Sequence, residues 1–173
     1  MLQTFTVAES TLVLLKCLQQ VPVLSGLRLV GGTALALQLG HRNSVNLDLF
    51  GVFEETIEEI QGDLMSRGFN VIPERASKII NILVINGVKV DIVGGHPDWF
   101  CPPVEMEGVK MACLQDIAAM KLHAITGRGR KKDFVDLYFL LQHFTLEQMI
   151  ELYEKKYPQN SVFFVIRSLR NRQ

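Results

Sequence analysis

The sequence predicts an α+β protein, in which a mixed β-sheet flanked by helices is followed by a part that is helical throughout. Three observations predict this class. Short apolar runs alternate with helical patterns up to about residue 112, an Asn-Gly dipeptide marks a hairpin among them, and helical patterns then continue to the end. We expect an α/β core over residues 1–112 and a helical part over residues 113–173, packed together as a single compact unit.

Composition is that of an ordinary globular protein, with 48% hydrophobic and 21% charged residues in 173. The 18 basic and 18 acidic side chains cancel, so net charge gives no general argument for binding nucleic acid or an anionic membrane. The chain contains no apolar run of the ~18 residues that a membrane-spanning helix needs, and its first residues do not resemble a secretory signal. The three cysteines show no zinc-binding spacing. We expect a cytoplasmic protein without a membrane partner.

The expected elements follow from hydrophobic periodicity and from turn residues. Those in the first half are a helix capped by Ser10 or Thr11 and running to about Gln20, a strand at 27–30, a helix ended by Gly40, a strand at 46–50 and a helix from Glu54 to Arg67. Strands at 69–75, 78–87 and 88–93 come next, the last two joined at Asn86–Gly87, and a short strand lies within 104–111. Four helices are expected, at about 114–126, 131–142, 145–156 and 160–170.

The segment GGTALALQLGHRNSVNLDLF carries most of the functional signal. A strand leads into Gly31–Gly32–Thr33, where a helix begins. Glycine lets the backbone approach a phosphate closely, and a helix N-terminus supplies free N–H groups and a positive dipole end. Thr33 can cap this helix or contact a phosphate oxygen. Taken alone, however, a glycine pair before a helix is more often a plain turn.

Carboxylates follow the glycine turn at positions that suit a cation. Asn46 and Asp48 are two residues apart on the expected strand and therefore project from the same face. Oxygen-bearing side chains placed in this way can coordinate magnesium that bridges a triphosphate. Asp91 is a lone carboxylate in the apolar strand VKVDIV, and it would share a cation with Asp48 if the two meet across the sheet. The alternative is that Asp91 is an edge residue in water.

These residues resemble the first motif of nucleotidyltransferase-fold proteins, and the AbiEii/AbiGii-type toxin family in particular. The pattern is a glycine turn, an Arg-x-Ser and an Asp-x-Asp strand, and here it reads Gly31–Gly32, Arg42–Asn43–Ser44 and Asn46–Leu47–Asp48. The resemblance implies a nucleotidyltransferase fold and transfer of a nucleotide from an NTP to an acceptor with Mg²⁺. It assigns Asp91 as a further metal-binding carboxylate, and Asn46 departs from it because an amide brings no negative charge.

A second segment, MKLHAITGRGRKKDFVDLYFLL, also resembles this family. A lysine on one helix, a basic turn and an Asp-x-x-Asp helix start appear here as Lys121, then Arg128 and Arg130, then Asp133 and Asp136. The cluster of basic residues at this turn predicts a cationic rim for a triphosphate or an RNA backbone. The resemblance implies that Lys121 faces the nucleotide phosphates and that Asp133 and Asp136 brace the active site or an acceptor. The other interpretation is a solvated turn between helices. The basic tail, Arg167, Arg170 and Arg172, contacts nucleic acid or a partner, or is simply solvated.

Two functions remain open on this evidence. The first is an enzyme that transfers a nucleotide to RNA or protein, with Asp48, Asp91 and Lys121 as catalytic groups, and the resemblance further implies a toxin paired with a cognate antitoxin. The second is a nucleotide-binding or partner-binding module in which Asn46 has impaired transfer. A purely structural interaction protein is a third possibility.

Overall fold

The computed structural model describes residues 1–95, 97–127 and 129–170 and divides the chain into two compact units. The first unit comprises Met1–Pro97 and Pro103–Met111, and it contains the whole sheet. The second comprises Asp98–Pro102 and the described residues from Ala112 onward. The division at 111/112 lies one residue from the expected boundary, and the Pro-containing stretch 98–102 groups with the helices instead of with the sheet.

The described residues of the first unit form a seven-stranded mixed sheet, three α-helices and two short 3-10 helices at Thr4–Thr6 and Pro22–Leu24. Its helices are α1 (Glu9–Gln20), α2 (Gly31–Leu39) and α3 (Ile57–Ser66). Its strands are β1 (Arg28–Val30), β2 (Leu47–Gly51), β3 (Val71–Arg75), β4 (Ile80–Ile85), β5 (Val88–Gly94), β6 (Val104–Met106) and β7 (Val109–Met111). The order across the sheet is β3-β4-β5-β2-β1-β7-β6. Strand β2 is parallel to β5 and antiparallel to β1. In this order β2 with Asp48 and β5 with Asp91 are neighbours at the centre of the sheet.

The second unit is helical, as expected. Its helices are α4 (Leu114–Gly127), α5 (Lys131–Leu140), α6 (Leu146–Lys156) and α7 (Val162–Arg170). Helix α4 contacts each of the other three and is the central element of this unit. Thr145 and Gln148 form a reciprocal capping box that fixes the start of α6.

The structure corrects several local expectations. Helix α1 begins at Glu9 after Ala8, so the expected cap by Ser10 or Thr11 is wrong. Residues 54–56 are not helical, because Thr56 and Glu59 form a capping box that starts α3 at Ile57.

Two strand assignments also change. Asn46 precedes β2, which begins at Leu47. The segment 104–111 forms a two-stranded hairpin and not one short strand, because Glu107 and Gly108 both adopt positive φ and reverse the chain. The hairpin expected at Asn86–Gly87 is confirmed, with positive φ at both residues.

Candidate active site

The glycine turn and Asp48 are in direct contact. Strand β1 ends at Val30 and α2 begins at Gly31, which has φ +70°. A Cβ on Gly31 would stand 2.5 Å from Asp48 Oδ2 and 3.3 Å from its Cγ. Only glycine accommodates this backbone conformation together with the adjacent carboxylate. This contact brings Asp48 to the first turn of α2, where backbone N–H groups lack intrahelical partners. The expected approach of this turn to a phosphate stays a prediction.

Asp48 and Asp91 occupy matching positions on adjacent parallel strands. Their α-carbons pair in the register of β2 with β5. Val90 and Ile92, on either side of Asp91, are fully buried, whereas Asp91 itself is half-buried on the other face. Neighbouring strands lie ~4.8 Å apart, and in-register side chains of parallel strands project from the same face. The register therefore meets the condition under which the sequence analysis has Asp48 and Asp91 share a cation, and the shared cation itself stays a prediction.

A network of hydrogen bonds ties α2 to the loop before β2. The Thr33 hydroxyl donates to the backbone carbonyl of Asn46 and lies 2.7 Å from Ser44 Oγ. Ser44 in turn donates its backbone N–H to Thr6 O at 2.9 Å. Thr33 is buried inside this network and Val30 is the N-cap of α2, so the expected cap by Thr33 is wrong. Thr33 and Ser44 fix the chain immediately before Asp48.

The donor set fits a divalent cation with a small protein ligand shell. Asp48 and Asp91 supply two carboxylates side by side, and hard cations such as Mg²⁺ bind through one or two carboxylates together with substrate phosphates and water. Among the described residues no group of three or more His, Cys, Asp or Glu side chains is placed to hold a metal ion. Asn46 precedes β2, and its role as a metal ligand stays a prediction. Arg42 is engaged locally, because its Nη1 donates to Asn43 O at 2.9 Å.

Lys121 lies in a buried ion-pair group of the second unit, here called the Lys121 triad (Lys121, Asp133 and Asp136). Lys121 Nζ is 3.1 Å from Asp133 Oδ1 and 2.5 Å from Asp136 Oδ2. The lysine is 4% exposed, and both aspartates are fully buried. The triad therefore joins α4 to α5, and its carboxylates compensate the lysine charge. The phosphate contact of Lys121 that the resemblance implies stays a prediction.

The basic turn is described only in part. Arg130 precedes α5 and is exposed, and its backbone N–H donates to Asp133 Oδ2 at 3.0 Å. Asp133 thus binds the turn and Lys121 with its two carboxylate oxygens. Arg128 lies outside the described residues.

The family model for the nucleotidyl transferase AbiEii toxin of type IV toxin–antitoxin systems matches residues 13–170. The chain belongs to this family. A curated relative of unknown function from Aquifex aeolicus (strain VF5) is 34% identical over 149 residues, which is 82% of this chain and 71% of the relative. The AbiEii model covers both site segments and nearly all of both units.

Solved structures similar to this AbiEii family member share its fold. JHP933 from Helicobacter pylori has a TM-score of 0.59 at 18% identity, over 94% of this chain and 89% of that one. A nucleotidyltransferase from H. pylori has a TM-score of 0.58 at 20% identity, over 95% and 84%. ANT(2")-Ia in complex with adenylyl-2"-tobramycin has a TM-score of 0.59 at 16% identity, over 88% and 96%. These likenesses establish the nucleotidyltransferase fold that the sequence predicts.

A second buried ion pair in this AbiEii family member escaped the sequence analysis. Lys156 Nζ is 2.8 Å from Asp116 Oδ1, and the fully buried Asp116 also accepts from the backbone N–H of Phe100 at 3.1 Å. Lys156 Nζ lies 4.6 Å from the Phe100 ring centroid and 2.6 Å from Asp98 O. This pair fastens the segment 98–102 to the helices. No local sequence pattern predicts this ion pair, because Lys156 and Asp116 are 40 residues apart in the chain.

No helix within the described residues combines the length and apolar character needed to cross a membrane.

Proposed function

We propose that this chain binds an NTP with Mg²⁺ and transfers the nucleotide to an RNA or protein acceptor, as the toxin of a toxin–antitoxin or abortive-infection system in the cytoplasm. The arrangement of Gly31, Asp48 and Asp91 carries the proposal. A glycine turn at a helix N-terminus lies against one carboxylate, and that carboxylate pairs in register with a second. Membership of the AbiEii toxin family supports the reaction class and a cognate antitoxin as partner.

The proposed roles follow from these positions. Gly31 and Gly32 present backbone N–H groups to the phosphates, and Asp48 and Asp91 hold the metal. Bound Mg²⁺ would neutralise triphosphate charge and orient the leaving group. In the transfer, an acceptor oxygen bonds to the α-phosphorus while the bond to the departing pyrophosphate breaks. The protein then contributes mainly positioning and electrostatic stabilisation.

Roles for the basic residues belong to the same proposal. Arg42 and Ser44 lie in the loop that delivers Asp48, and we propose that they contact the nucleotide. We propose that Arg128 and Arg130 form a cationic rim on the helical unit. The charge of Lys121 is already compensated by Asp133 and Asp136, so its proposed part is to hold the start of α5, which carries the basic turn.

The first experiment measures thermal stabilisation of the purified protein by ATP, GTP, CTP and UTP, each with Mg²⁺. A ligand at a hundredfold excess over its Kd raises the free energy of unfolding by about 2.7 kcal/mol. We expect a Mg²⁺-dependent shift with at least one NTP, and its loss in Asp48→Asn and Asp91→Asn. Asp63→Asn is the matched control, since Asp63 pairs with Arg67 on the exposed side of α3. Absence of a shift with every NTP in folded wild-type protein would refute nucleotide binding here.

A second candidate function is a nucleotide-binding or partner-binding module with impaired transfer. Asn46 favours it, because an uncharged amide stands at the position where the family pattern has a carboxylate. Transfer of labelled nucleotide to total RNA and to protein distinguishes the two functions. Transfer by the wild type supports the enzyme. Binding without transfer, together with tighter Mg²⁺ binding and transfer by Asn46→Asp, supports the impaired module.

A further inference from the structure

The second unit contains a cavity that the proposed nucleotide site does not use. It has a volume of about 260 Å³ and lies among α4, α6, the linker at 159–161 and the start of α7. This volume is below the ~300–1,000 Å³ of pockets that enclose drug-sized ligands, so it suits a single flat ring system. All of the residues that line it belong to the helical unit.

The lining of this cavity combines aromatic rings with neutral hydrogen-bonding groups. The rings are those of His123, Tyr153 and Phe164, and the polar groups are those of Thr126, Gln159, Asn160 and Ser161. His123 stacks on Tyr157 with ring centroids 4.4 Å apart and planes inclined by 19°. Asn160 Nδ2 lies 3.4 Å from His123 Nδ1, which orients both side chains. No lysine, arginine, aspartate or glutamate of the described residues lines the cavity.

A neutral lining excludes some ligand classes and favours others. Burial lowers the pKa of His123, which favours the uncharged imidazole. Among the described residues the lining holds no carboxylate, lysine or arginine, so the cavity lacks the charged groups that bind a hard cation or a free phosphate. Nucleobases present a π-face that stacks on aromatic side chains and an edge that hydrogen-bonds with amides and hydroxyls.

Helix α7 adds charge and exposed aromatic surface beside the cavity. Val165 is its buried anchor, while Phe163, Phe164 and Ile166 are 62%, 46% and 54% exposed. The Arg167 guanidinium lies 5.2 Å from the ring centroid of Phe164, and Arg170 follows one turn later. The helix sequence VFFVIRSLR contains no acidic residue. Arginines beside an exposed aromatic ring suit a single-stranded nucleic acid, because the arginines bind its phosphates and the ring stacks on its bases. Arg172, the third arginine of this tail, lies outside the described residues.

We propose that this cavity and α7 form a binding site for an unpaired nucleotide of a single-stranded nucleic acid. The base occupies the cavity against Phe164 and His123, and the adjoining phosphates contact Arg167 and Arg170. Binding at this site requires neither NTP nor metal. The further statement that the bound nucleic acid is the acceptor rests on the proposed nucleotidyl transfer. It favours a nucleic acid over a protein as the acceptor.

The test is fluorescence anisotropy with labelled RNA and DNA oligonucleotides about eight nucleotides long, in EDTA and without NTP. We expect the wild type to bind, Phe164→Ala to bind about 5- to 100-fold more weakly, and Phe164→Trp to retain affinity. Arg167→Gln should lower the slope of log affinity against log salt by roughly 0.7, whereas Phe164→Ala should leave that slope unchanged. Tyr138→Ala is the matched control, because Tyr138 is 63% exposed on α5 of the same unit.

Thermal unfolding of each variant verifies that it is folded, and Arg167→Gln examines the same surface without removing an aromatic ring. The site is refuted if the folded wild type binds neither RNA nor DNA. It is also refuted if Phe164→Ala and Arg167→Gln both behave as Tyr138→Ala does, because binding would then lie elsewhere. Since the assay omits NTP and Mg²⁺, its failure leaves NTP-dependent stabilisation unaffected, and the two proposals fail separately.

Discussion

The carboxylate of Asp48 lies against the α-carbon of Gly31, with Oδ2 2.5 Å from the position that a Cβ would take. The same contact therefore requires glycine at position 31 and holds Asp48, a candidate metal ligand, in place. A side chain at position 31 would disturb both the fold and the proposed site.

Replacing Gly31 with alanine should destabilise the protein and abolish nucleotide binding. The new methyl group meets the Asp48 carboxylate, and φ +70° is unfavourable for alanine. We expect the free energy of unfolding to fall by about 2 kcal/mol or more, measured by urea denaturation. Gly62→Ala is the control, since nothing lies within 4 Å of its Cβ position in α3. That control should be neutral or up to about 1 kcal/mol more stable, and equal effects in both variants would contradict the contact.

Replacing Thr33 with valine should weaken both the fold and the nucleotide site. Valine keeps the shape but removes the hydroxyl that donates to Asn46 O and meets Ser44. Loss of this buried donor should cost about 1–2 kcal/mol in urea denaturation, and NTP-dependent thermal stabilisation should fall because the chain before Asp48 is released. The exposed Thr4→Val should change stability by less than about 0.5 kcal/mol. A Thr33 variant as stable as the Thr4 variant would show that the network contributes little.

Replacing Lys121 with methionine should primarily destabilise the helical unit. The change leaves Asp133 and Asp136 buried without their lysine, and breaking a buried ion pair costs about 3–5 kcal/mol. Urea denaturation of Lys121→Met, with the exposed Lys131→Met as control, measures this loss. If Lys121→Met keeps wild-type stability yet loses NTP-dependent stabilisation, the lysine serves the nucleotide and the triad is not what holds α4 to α5.

The thiol of Cys113 should resist alkylation at pH 8. Burial, reinforced by the neighbouring Cys101 and Asp116, raises the pKa of the Cys113 thiol to about 12. The thiolate is the reactive form, so reactivity should be almost absent well below pH 12 and should increase as the pH rises toward that value. Iodoacetamide labelling followed by peptide mass spectrometry should modify the exposed Cys17 first. Equal labelling of Cys17 and Cys113 in folded protein would show that the Cys113 environment is open.

Most of the fold followed from local patterns. Helices α4 to α7 were predicted within a few residues, because amphipathic periodicity is a local signal. The hairpin at 104–111 was missed since its turn residues, Glu107 and Gly108, do not form the strongest hairpin dipeptide. The first-turn boundary of α1 was missed because Ala8 gives no side-chain cap.

The sequence by itself determined the candidate site: the glycine turn, Asp48 and Asp91 are visible from residue types and spacing, and the resemblance to the family marks the departure at Asn46. The tertiary structure decided how they relate. The in-register pairing of Asp48 with Asp91 depends on β2 lying beside β5, although β3 and β4 intervene in the chain. The contacts of Lys121 with Asp133 and Asp136, and of Lys156 with Asp116, depend on helix packing. Short-range patterns set local conformation, whereas burial of charge is settled only when distant elements pack together.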